Sequence, residues 1–304
     1  MNALPATVTI RDVGPRDGLQ PEEPVPVEER IRLVHALQDA GLRRIEVAAF
    51  VSPKAVPAMA GAADVVAGID RRPEVTYAAL VPNRRGAELA LAAGVDELTV
   101  TISASPTYNE RNVHMTVEQS LAAIAEIVEL AGEGPVPVDA VISCAFGSPY
   151  EADLGPTEVA ALEQRVLDLG VAATTLADTT GMATPRRVDE VLDARPTGAP
   201  VPGFHLHDTR GTALLNAYRA LERGVDRFDT AVGGLGGSPF AHGAGGNLAT
   251  EELVAVLDDL DIATGIDVSG LVAAAALVEA LVGRPVPSGV AHAGPRRQPA
   301  VPSS

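Results

Sequence analysis

Eight short runs rich in β-branched and apolar residues recur along the chain, each followed by a longer stretch with helical spacing of apolar residues. The runs lie at residues 7–13, 44–50, 75–81, 97–103, 138–145, 174–178, 201–207 and 227–232. Strands that alternate with helices predict a parallel sheet wound with crossover helices. Eight such pairs close most naturally into a (β/α)8 TIM barrel, and an open doubly wound sheet is the alternative.

The stretches between the runs have apolar residues at three- and four-residue spacing, which is typical of amphipathic helices. Predicted helices include 27–40, 117–131, 157–169, 184–192, 211–223 and 250–260, and a further C-terminal helix at 269–282 is expected to pack against the barrel. Thr157 and Thr184 are predicted N-caps. We therefore predict one barrel domain over residues 1–284 and a flexible tail over 285–304, where proline, alanine and small polar residues dominate.

Composition excludes several classes of protein. The net charge of -17 would repel nucleic acid, and no basic block offsets it. No apolar stretch of about twenty residues could span a bilayer and no basic apolar leader begins the chain, so we expect a soluble, cytoplasmic protein. The single cysteine, Cys144, excludes an intramolecular disulfide and a cysteine-based zinc cage. The only lysine, Lys54, is the one candidate for a Schiff base.

Polar residues that apolar periodicity does not explain fall at the carboxyl ends of the predicted strands, where a barrel holds its catalytic groups. They are Arg16 and Asp17 after strand one, Glu46 in strand two, Asp178 at the end of strand six, His205 and His207 at the end of strand seven, and Asn247 after strand eight. Two histidines two residues apart on a strand point to the same side and can bind one cation.

With an added carboxylate and amide, the histidines form a mixed nitrogen and oxygen set that suits Mg²⁺ or Mn²⁺, with Co²⁺ and catalytic Zn²⁺ as alternatives. Several of the candidate site residues also have a purely structural interpretation. The histidines can be hydrogen-bonded core residues, and Arg16 with Asp17 can be a surface ion pair. Glu251 can be an acid favoured by the helix dipole in a first turn.

Six segments in order resemble the 3-hydroxy-3-methylglutaryl-CoA lyase branch of the DRE-TIM metallolyases. They are VGPRDGLQ at 13–20, IEVAAFVSPK at 45–54, VISCAFG at 141–147, ADTTG at 177–181, HLHD at 205–208 and GGNLATE at 245–251. The resemblance implies that Asp17, His205, His207 and Asn247 hold a divalent cation and that Arg16 is the main cationic catalyst. It also implies that Glu46 and Glu251 orient this ligand set, and we place Asp178 in the same surroundings.

The implied reaction is a retro-Claisen-type cleavage of a 3-hydroxy-3-methylglutaryl thioester, or a related 3-hydroxy-3-alkylglutaryl-CoA, into acetyl-CoA and a 3-oxo acid. Asp17 or His205 is the expected base for the tertiary hydroxyl. In the family, a cysteine of the glycine-rich loop is linked to protonation of the enolate, and this chain has Ser238 there. An alcohol is a far weaker acid than a thiol. The proton then comes from water or from His242, the substrate is a different acyl-CoA, or the enzyme is weakened.

Three other functions compete with this interpretation. A Claisen-condensing relative or a 4-hydroxy-2-oxo acid aldolase would use a similar metal site. A non-catalytic acyl-CoA-binding protein would show affinity for the thioester without a metal-dependent product. We expect an acyl-CoA as the small-molecule partner, and a homo-oligomer, most simply a dimer.

Overall fold

Eight parallel strands pair in sequence order, and the first pairs with the last to close the sheet into a barrel. The structure is a computed structural model that describes residues 4–132, 134–151, 154–237 and 245–296. The strands are β1 (Thr9–Asp12), β2 (Arg44–Ala49), β3 (Thr76–Leu80), β4 (Glu97–Ser103), β5 (Val138–Ser143), β6 (Ala173–Ala177), β7 (Gly203–His205) and β8 (Arg227–Thr230). The predicted TIM barrel is confirmed, and the open doubly wound sheet is excluded because β1 and β8 are hydrogen-bonded neighbours.

Helices surround this barrel and cover its apolar outer face. They are α1 (Val27–Asp39), α2 (Ala62–Gly68), α3 (Arg84–Ala93), α4 (Pro106–Val113), α5 (Val117–Gly132), α6 (Pro156–Asp168), α7 (Pro185–Ala194), α8 (Ala213–Glu222), α9 (Thr250–Asp259), α10 (Val268–Val282) and α11 (Gly289–Ala293). The predicted additional C-terminal helix is α10, and it begins where the Asp267 amide donates to the carbonyl of Ala40 at the end of α1 (2.8 Å). Within the described ranges, no helix has both the length and the apolar character needed to cross a membrane.

The two predicted N-caps have different outcomes. Thr184 caps α7 as expected, because its hydroxyl accepts from the Arg187 amide (3.1 Å). The prediction for Thr157 is wrong, since α6 already begins at Pro156 and Gly155 occupies the cap position. Proline is well suited to a first helical position because its φ is preset and no helical partner is needed for its nitrogen.

The segment predicted as a flexible tail includes described structure up to residue 296. Val286 is buried, and α11 begins after Ser288, whose hydroxyl accepts from the Ala291 amide. The predicted domain boundary at residue 284 stays a prediction.

A cluster of buried charges lies inside the barrel, towards the amino ends of β4 and β5. Arg11 of β1 contacts three carboxylates from three other strands: Glu97 and Asp139 at 2.9 Å each and Asp229 at 2.7 Å. Buried charges persist in protein interiors only when they are paired and hydrogen-bonded. This arginine cluster therefore ties four strands together beneath the carboxyl-end face of the barrel.

Candidate metal centre

A single π-helical turn at Gly14–Gly18 follows β1 and carries Arg16 and Asp17. Gly14 is required at its start because a Cβ there would lie 2.8 Å from Asp12 Oδ1. This tight turn brings the Asp17 carboxylate over the barrel mouth, 4.0 Å from His205 Nε2.

The two histidines lie at the end of β7 with their rings facing each other. His205 Nε2 and His207 Nε2 are 3.1 Å apart, and both side chains are buried. His207 leaves the barrel ladder and pairs instead with Asn247 in an antiparallel bridge. The side-chain nitrogen of Asn247, Nδ2, in turn donates to Asp17 Oδ2 (2.8 Å) and to the Leu235 carbonyl (2.8 Å). The four residues predicted as metal ligands are thus brought together from three parts of the chain.

The donor set fits a divalent cation. One ligand atom from each of Asp17, His205 and His207 lies within 4.8 Å of the others. The buried Asn247 Oδ1 and His207 Nδ1 have no hydrogen-bond partner among the described residues. A buried amide oxygen without a partner is costly, and the Asn247 side chain is held beside the three clustered ligands by its contact with Asp17. Two imidazole nitrogens with carboxylate and amide oxygens, and no thiolate, are donor types that suit a divalent cation.

Charges around the site favour an ionised Asp17. Burial opposes its ionisation and is the largest single effect, but the Arg16 guanidinium, the two imidazoles and the hydrogen bond from Asn247 together outweigh it, so the pKa of Asp17 is lowered to about 2. Arg16 donates from Nη1 to Asp17 Oδ1 (2.6 Å) and from Nε to the fully buried Glu46. Glu46 Oε1 has no further partner in the described part of the chain. Glu46 therefore holds the Arg16 guanidinium, and its predicted role in orienting the ligand set stays a prediction.

The two histidines differ in proton affinity. Burial lowers the pKa of His207 to about 4, and the neighbouring His205 adds to this effect. For His205, burial also disfavours the charged form, but contacts with Asp229 and Asp17 outweigh it and raise the pKa. A neutral His207 is the form that binds a metal ion.

Asp178 and Glu251 hold backbone loops at the rim of the site. Asp178 Oδ1 accepts from the amides of Met182 (2.7 Å) and Ala183 (2.9 Å), and burial raises its pKa to about 7. Glu251 is fully buried and both its oxygens accept from the Gly233 amide at 3.1 Å. Both carboxylates therefore fix the loops that surround the ligand set.

Ser238 and His242 lie outside the described residues, so their predicted roles stay predictions. The glycine-rich loop is described up to residue 237 and again from 245. Its first part passes directly over the site, since a side chain at Gly236 (φ 103) would collide with Asn247 Nδ2 and would lie 3.3 Å from Asp17 Oδ2. Lys54 is exposed on the loop after β2.

Sequence reasoning missed two sets of residues beneath the ligands. Asp229 Oδ2 lies 3.4 Å from His205 Nδ1 and is held by Arg11. Asp12 accepts from the Thr250 hydroxyl (2.6 Å) and from the amides of Gly14 and Val232. Charged residues inside otherwise apolar strands were the available signal for both sets, because such residues need buried partners.

Comparison with known proteins gives a consistent family assignment. The HMGL-like family model matches residues 7–278. Hydroxymethylglutaryl-CoA lyase YngG of Bacillus subtilis is 43% identical over 93% of this chain and 96% of its own length. The 3-hydroxy-3-isohexenylglutaryl-CoA/hydroxy-methylglutaryl-CoA lyase of Pseudomonas aeruginosa is 43% identical over 92% of this chain and 95% of its own.

The crystal structure of hydroxymethylglutaryl-CoA lyase from Pseudomonas aeruginosa superposes with a TM-score of 0.92 at 43% identity, covering 95% of this chain and 98% of that one. Agreement of family model, sequence and fold over nearly the whole length leaves one assignment. This chain belongs to the HMGL-like family, whose relatives named above are carbon–carbon lyases.

Proposed function

We propose that this protein is a divalent-cation-dependent acyl-CoA lyase. It cleaves 3-hydroxy-3-methylglutaryl-CoA, or a related 3-hydroxy-3-alkylglutaryl-CoA, to acetyl-CoA and a 3-oxo acid. The observation that carries the proposal is the convergence of Asp17, His205 and His207, with Asn247 and Arg16 both in contact with Asp17. The name of the Pseudomonas aeruginosa relative covers methyl and isohexenyl substrates, which supports a variable alkyl group at C3.

Asp17, His205, His207 and Asn247 would hold the cation, with Mg²⁺ or Mn²⁺ expected from the donor types. When bound, the cation would chelate the tertiary hydroxyl and a neighbouring carbonyl or carboxylate oxygen of the substrate and lower the pKa of that hydroxyl. The residues around it supply the remaining steps.

The first step removes the hydroxyl proton, with Asp17 or His205 as the base. His205 has the higher proton affinity as a free side chain, because its pKa is raised while that of Asp17 is lowered to about 2. If His205 Nε2 binds the cation, its lone pair cannot take the hydroxyl proton. Asp17 is then the remaining candidate base. Its Oδ1 is paired with Arg16 and its Oδ2 faces Asn247.

The carbon–carbon bond then breaks. The former hydroxyl oxygen becomes the ketone oxygen, and the bonding electrons move onto the thioester as an enolate. Arg16 is held in place by Glu46 and by Asp17. It can therefore stabilise the negative charge that develops on the enolate without first changing its position. Pre-orientation of this kind is the largest contribution that a protein makes to such a step.

Protonation of the enolate carbon completes acetyl-CoA. Ser238 is a poor acid for this step, and we propose water or His242 as the donor. His242→Ala should leave cation binding intact and lower turnover at least about tenfold, as general acids contribute 10²–10⁴-fold in many enzymes. An unchanged rate would assign the proton to water.

A coupled assay tests the proposed function. Protein stripped with a chelator is incubated with 3-hydroxy-3-methylglutaryl-CoA and longer 3-alkyl homologues, with and without Mg²⁺ or Mn²⁺, and acetyl-CoA and the 3-oxo acid are detected by mass spectrometry. We expect product only with the added cation, and none from His207→Gln. Asp189→Asn, which alters an ion pair between α7 and α8, is the matched control and should keep full activity. Thioester binding without any metal-dependent product would instead indicate an acyl-CoA-binding protein.

Assembly and location are proposed from the sequence alone. A dimer is expected, and light scattering on the purified protein tests it, with a monomer mass as the contradicting result. A cytoplasmic location is likewise a proposal, and fractionation of the producing cells would check it.

A further inference from the structure

Asp229 connects the candidate metal centre to the charged interior of the barrel. It lies on β8 directly beside His205 of β7, and the two residues are register partners. Asp229 Oδ2 is 3.4 Å from His205 Nδ1, the ring nitrogen that faces away from Asp17 and His207. Both side chains are more than nine-tenths buried, so water cannot substitute for this contact.

The Asp229 carboxylate is itself held in place by two hydrogen bonds from Arg11. Arg11 donates to it twice, from Nε to Oδ1 (2.8 Å) and from Nη2 to Oδ2 (2.7 Å). This two-point fork is the strongest geometry that a guanidinium and a carboxylate can adopt. Arg11 is fixed in turn by Glu97 and Asp139 on the opposite side of the barrel. The position of Asp229 is therefore set by four strands.

The ion pair between Arg11 and Asp229 also determines which nitrogen of the His205 ring carries the proton. A carboxylate that faces a guanidinium at both oxygens is ionised and can only accept hydrogen bonds. In the neutral ring, His205 Nδ1 must then carry the proton, and the lone pair is left on Nε2. That nitrogen is the one that faces His207 Nε2 at 3.1 Å and Asp17 Oδ2 at 4.0 Å.

We propose that Asp229, held by Arg11, is a positioning residue that fixes the tautomer and ring orientation of His205 so that Nε2 is available to a divalent cation. This inference rests on the proposed metal-dependent function and adds a residue to it. Partners of this kind commonly change metal affinity 10–100-fold when they are removed.

The competing explanation is that Asp229 only balances the charge of Arg11 within the core. Asp139 provides the matched control, because it contacts the same guanidinium (2.9 Å) and is equally buried, but it contacts Thr175 and no histidine of the site. A merely structural role predicts the same consequences for Asp229→Asn and Asp139→Asn. A positioning role predicts that the two variants differ at His205.

Two measurements separate these explanations. Mn²⁺ affinity is measured by calorimetry for wild type, Asp229→Asn and Asp139→Asn. Imidazole ¹⁵N shifts of metal-free, ¹⁵N-histidine-labelled protein, recorded over rising pH until the His205 ring is neutral, report the tautomer, with the His205 signals assigned by their loss in His205→Gln. We expect wild-type His205 to be protonated at Nδ1, Asp229→Asn to bind Mn²⁺ about 10–100-fold more weakly with altered His205 shifts, and Asp139→Asn to match wild type in both.

Three results would overturn the inference: a neutral His205 ring protonated at Nε2 in wild type, Mn²⁺ affinity in Asp229→Asn within twofold of wild type, or equal losses in both variants. The tautomer of the wild-type protein decides the matter even where Asp229→Asn does not fold. Failure of the proposed function is distinguishable, since wild type would then bind no divalent cation while the tautomer measurement still reports on Asp229.

Discussion

The pair formed by Arg16 and Glu46 allows structural and chemical roles to be separated by one set of variants. Glu46 is fully buried, and among the described residues Arg16 is the one hydrogen-bond partner of its side chain. Arg16 also contacts Asp17 at 2.6 Å and is itself 8% exposed. Arg16→Gln would therefore leave a buried carboxylate opposite a neutral amide.

Loss of one member of a buried ion pair costs about 3–5 kcal/mol because an unpaired charge remains. The glutamine amide can still donate one hydrogen bond, so we expect about 3 kcal/mol for Arg16→Gln. Arg16→Gln/Glu46→Gln removes both charges and should be destabilised by only about 1 kcal/mol, a coupling of about 2 kcal/mol or more. Urea denaturation in the presence of chelator measures these values without a contribution from cation binding.

Turnover should respond differently from stability. Removal of one preorganised electrostatic donor lowers kcat by about 10²–10³-fold, and Glu46→Gln cannot restore it. The matched control is the buried pair of Arg195 and Glu163 (2.6 Å), away from the ligand set, whose double glutamine variant should show similar coupling with unchanged kcat. The reasoning is refuted if Arg16→Gln keeps kcat within tenfold, or if Arg16→Gln/Glu46→Gln is no more stable than Arg16→Gln.

Three further predictions concern residues near the site. Thr250→Val removes the hydrogen bond to buried Asp12 (2.6 Å) and should lower the free energy of unfolding by about 2 kcal/mol, whereas Thr250→Ser keeps it and should cost about 1 kcal/mol. Equal losses in urea denaturation would contradict this role of the hydroxyl. Burial raises the pKa of Cys144 to about 12, so a disulfide reagent should label this thiol only after unfolding, and rapid labelling of native protein would disprove its burial. Ser238→Cys should raise kcat for 3-hydroxy-3-methylglutaryl-CoA, because a thiol of pKa about 8.5 exchanges protons near neutrality, and an unchanged or lower kcat would argue against a proton role at this position.

The strands could be predicted closely because their apolar, β-branched runs are continuous and buried. Both ends of β4 are as predicted. The largest difference is at β7, predicted over 201–207 and observed as Gly203–His205. Pro202 has no amide hydrogen for the ladder, and His207 pairs with Asn247 instead of a neighbouring strand. The end of this strand is thus set by a loop some forty residues further along, which local pattern cannot reveal.

The ligand positions could be predicted because carboxyl ends of barrel strands meet at one face, whatever their separation in sequence. The buried residues that contact these ligands could not be predicted in the same way. Arg11 and Asp229 are separated by 218 residues and meet only because the barrel closes between β1 and β8. A charged residue in a short buried strand indicates that it has a buried partner. The register of the closed barrel determines which residue that partner is.

Both ends of the glycine-rich loop are anchored by contacts among described residues. Glu251 holds the amide of Gly233, and the amide of Leu248 donates to the carbonyl of Leu206 (2.8 Å). Asn247, the proposed ligand from this loop, is fixed by the carbonyl of Leu235. Because these anchors lie in the described parts of the loop, up to residue 237 and from residue 245, we expect a change at Ser238 to leave them in place. On this expectation, Ser238→Cys would retain the proposed cation site, and its kcat would report on proton transfer to the enolate.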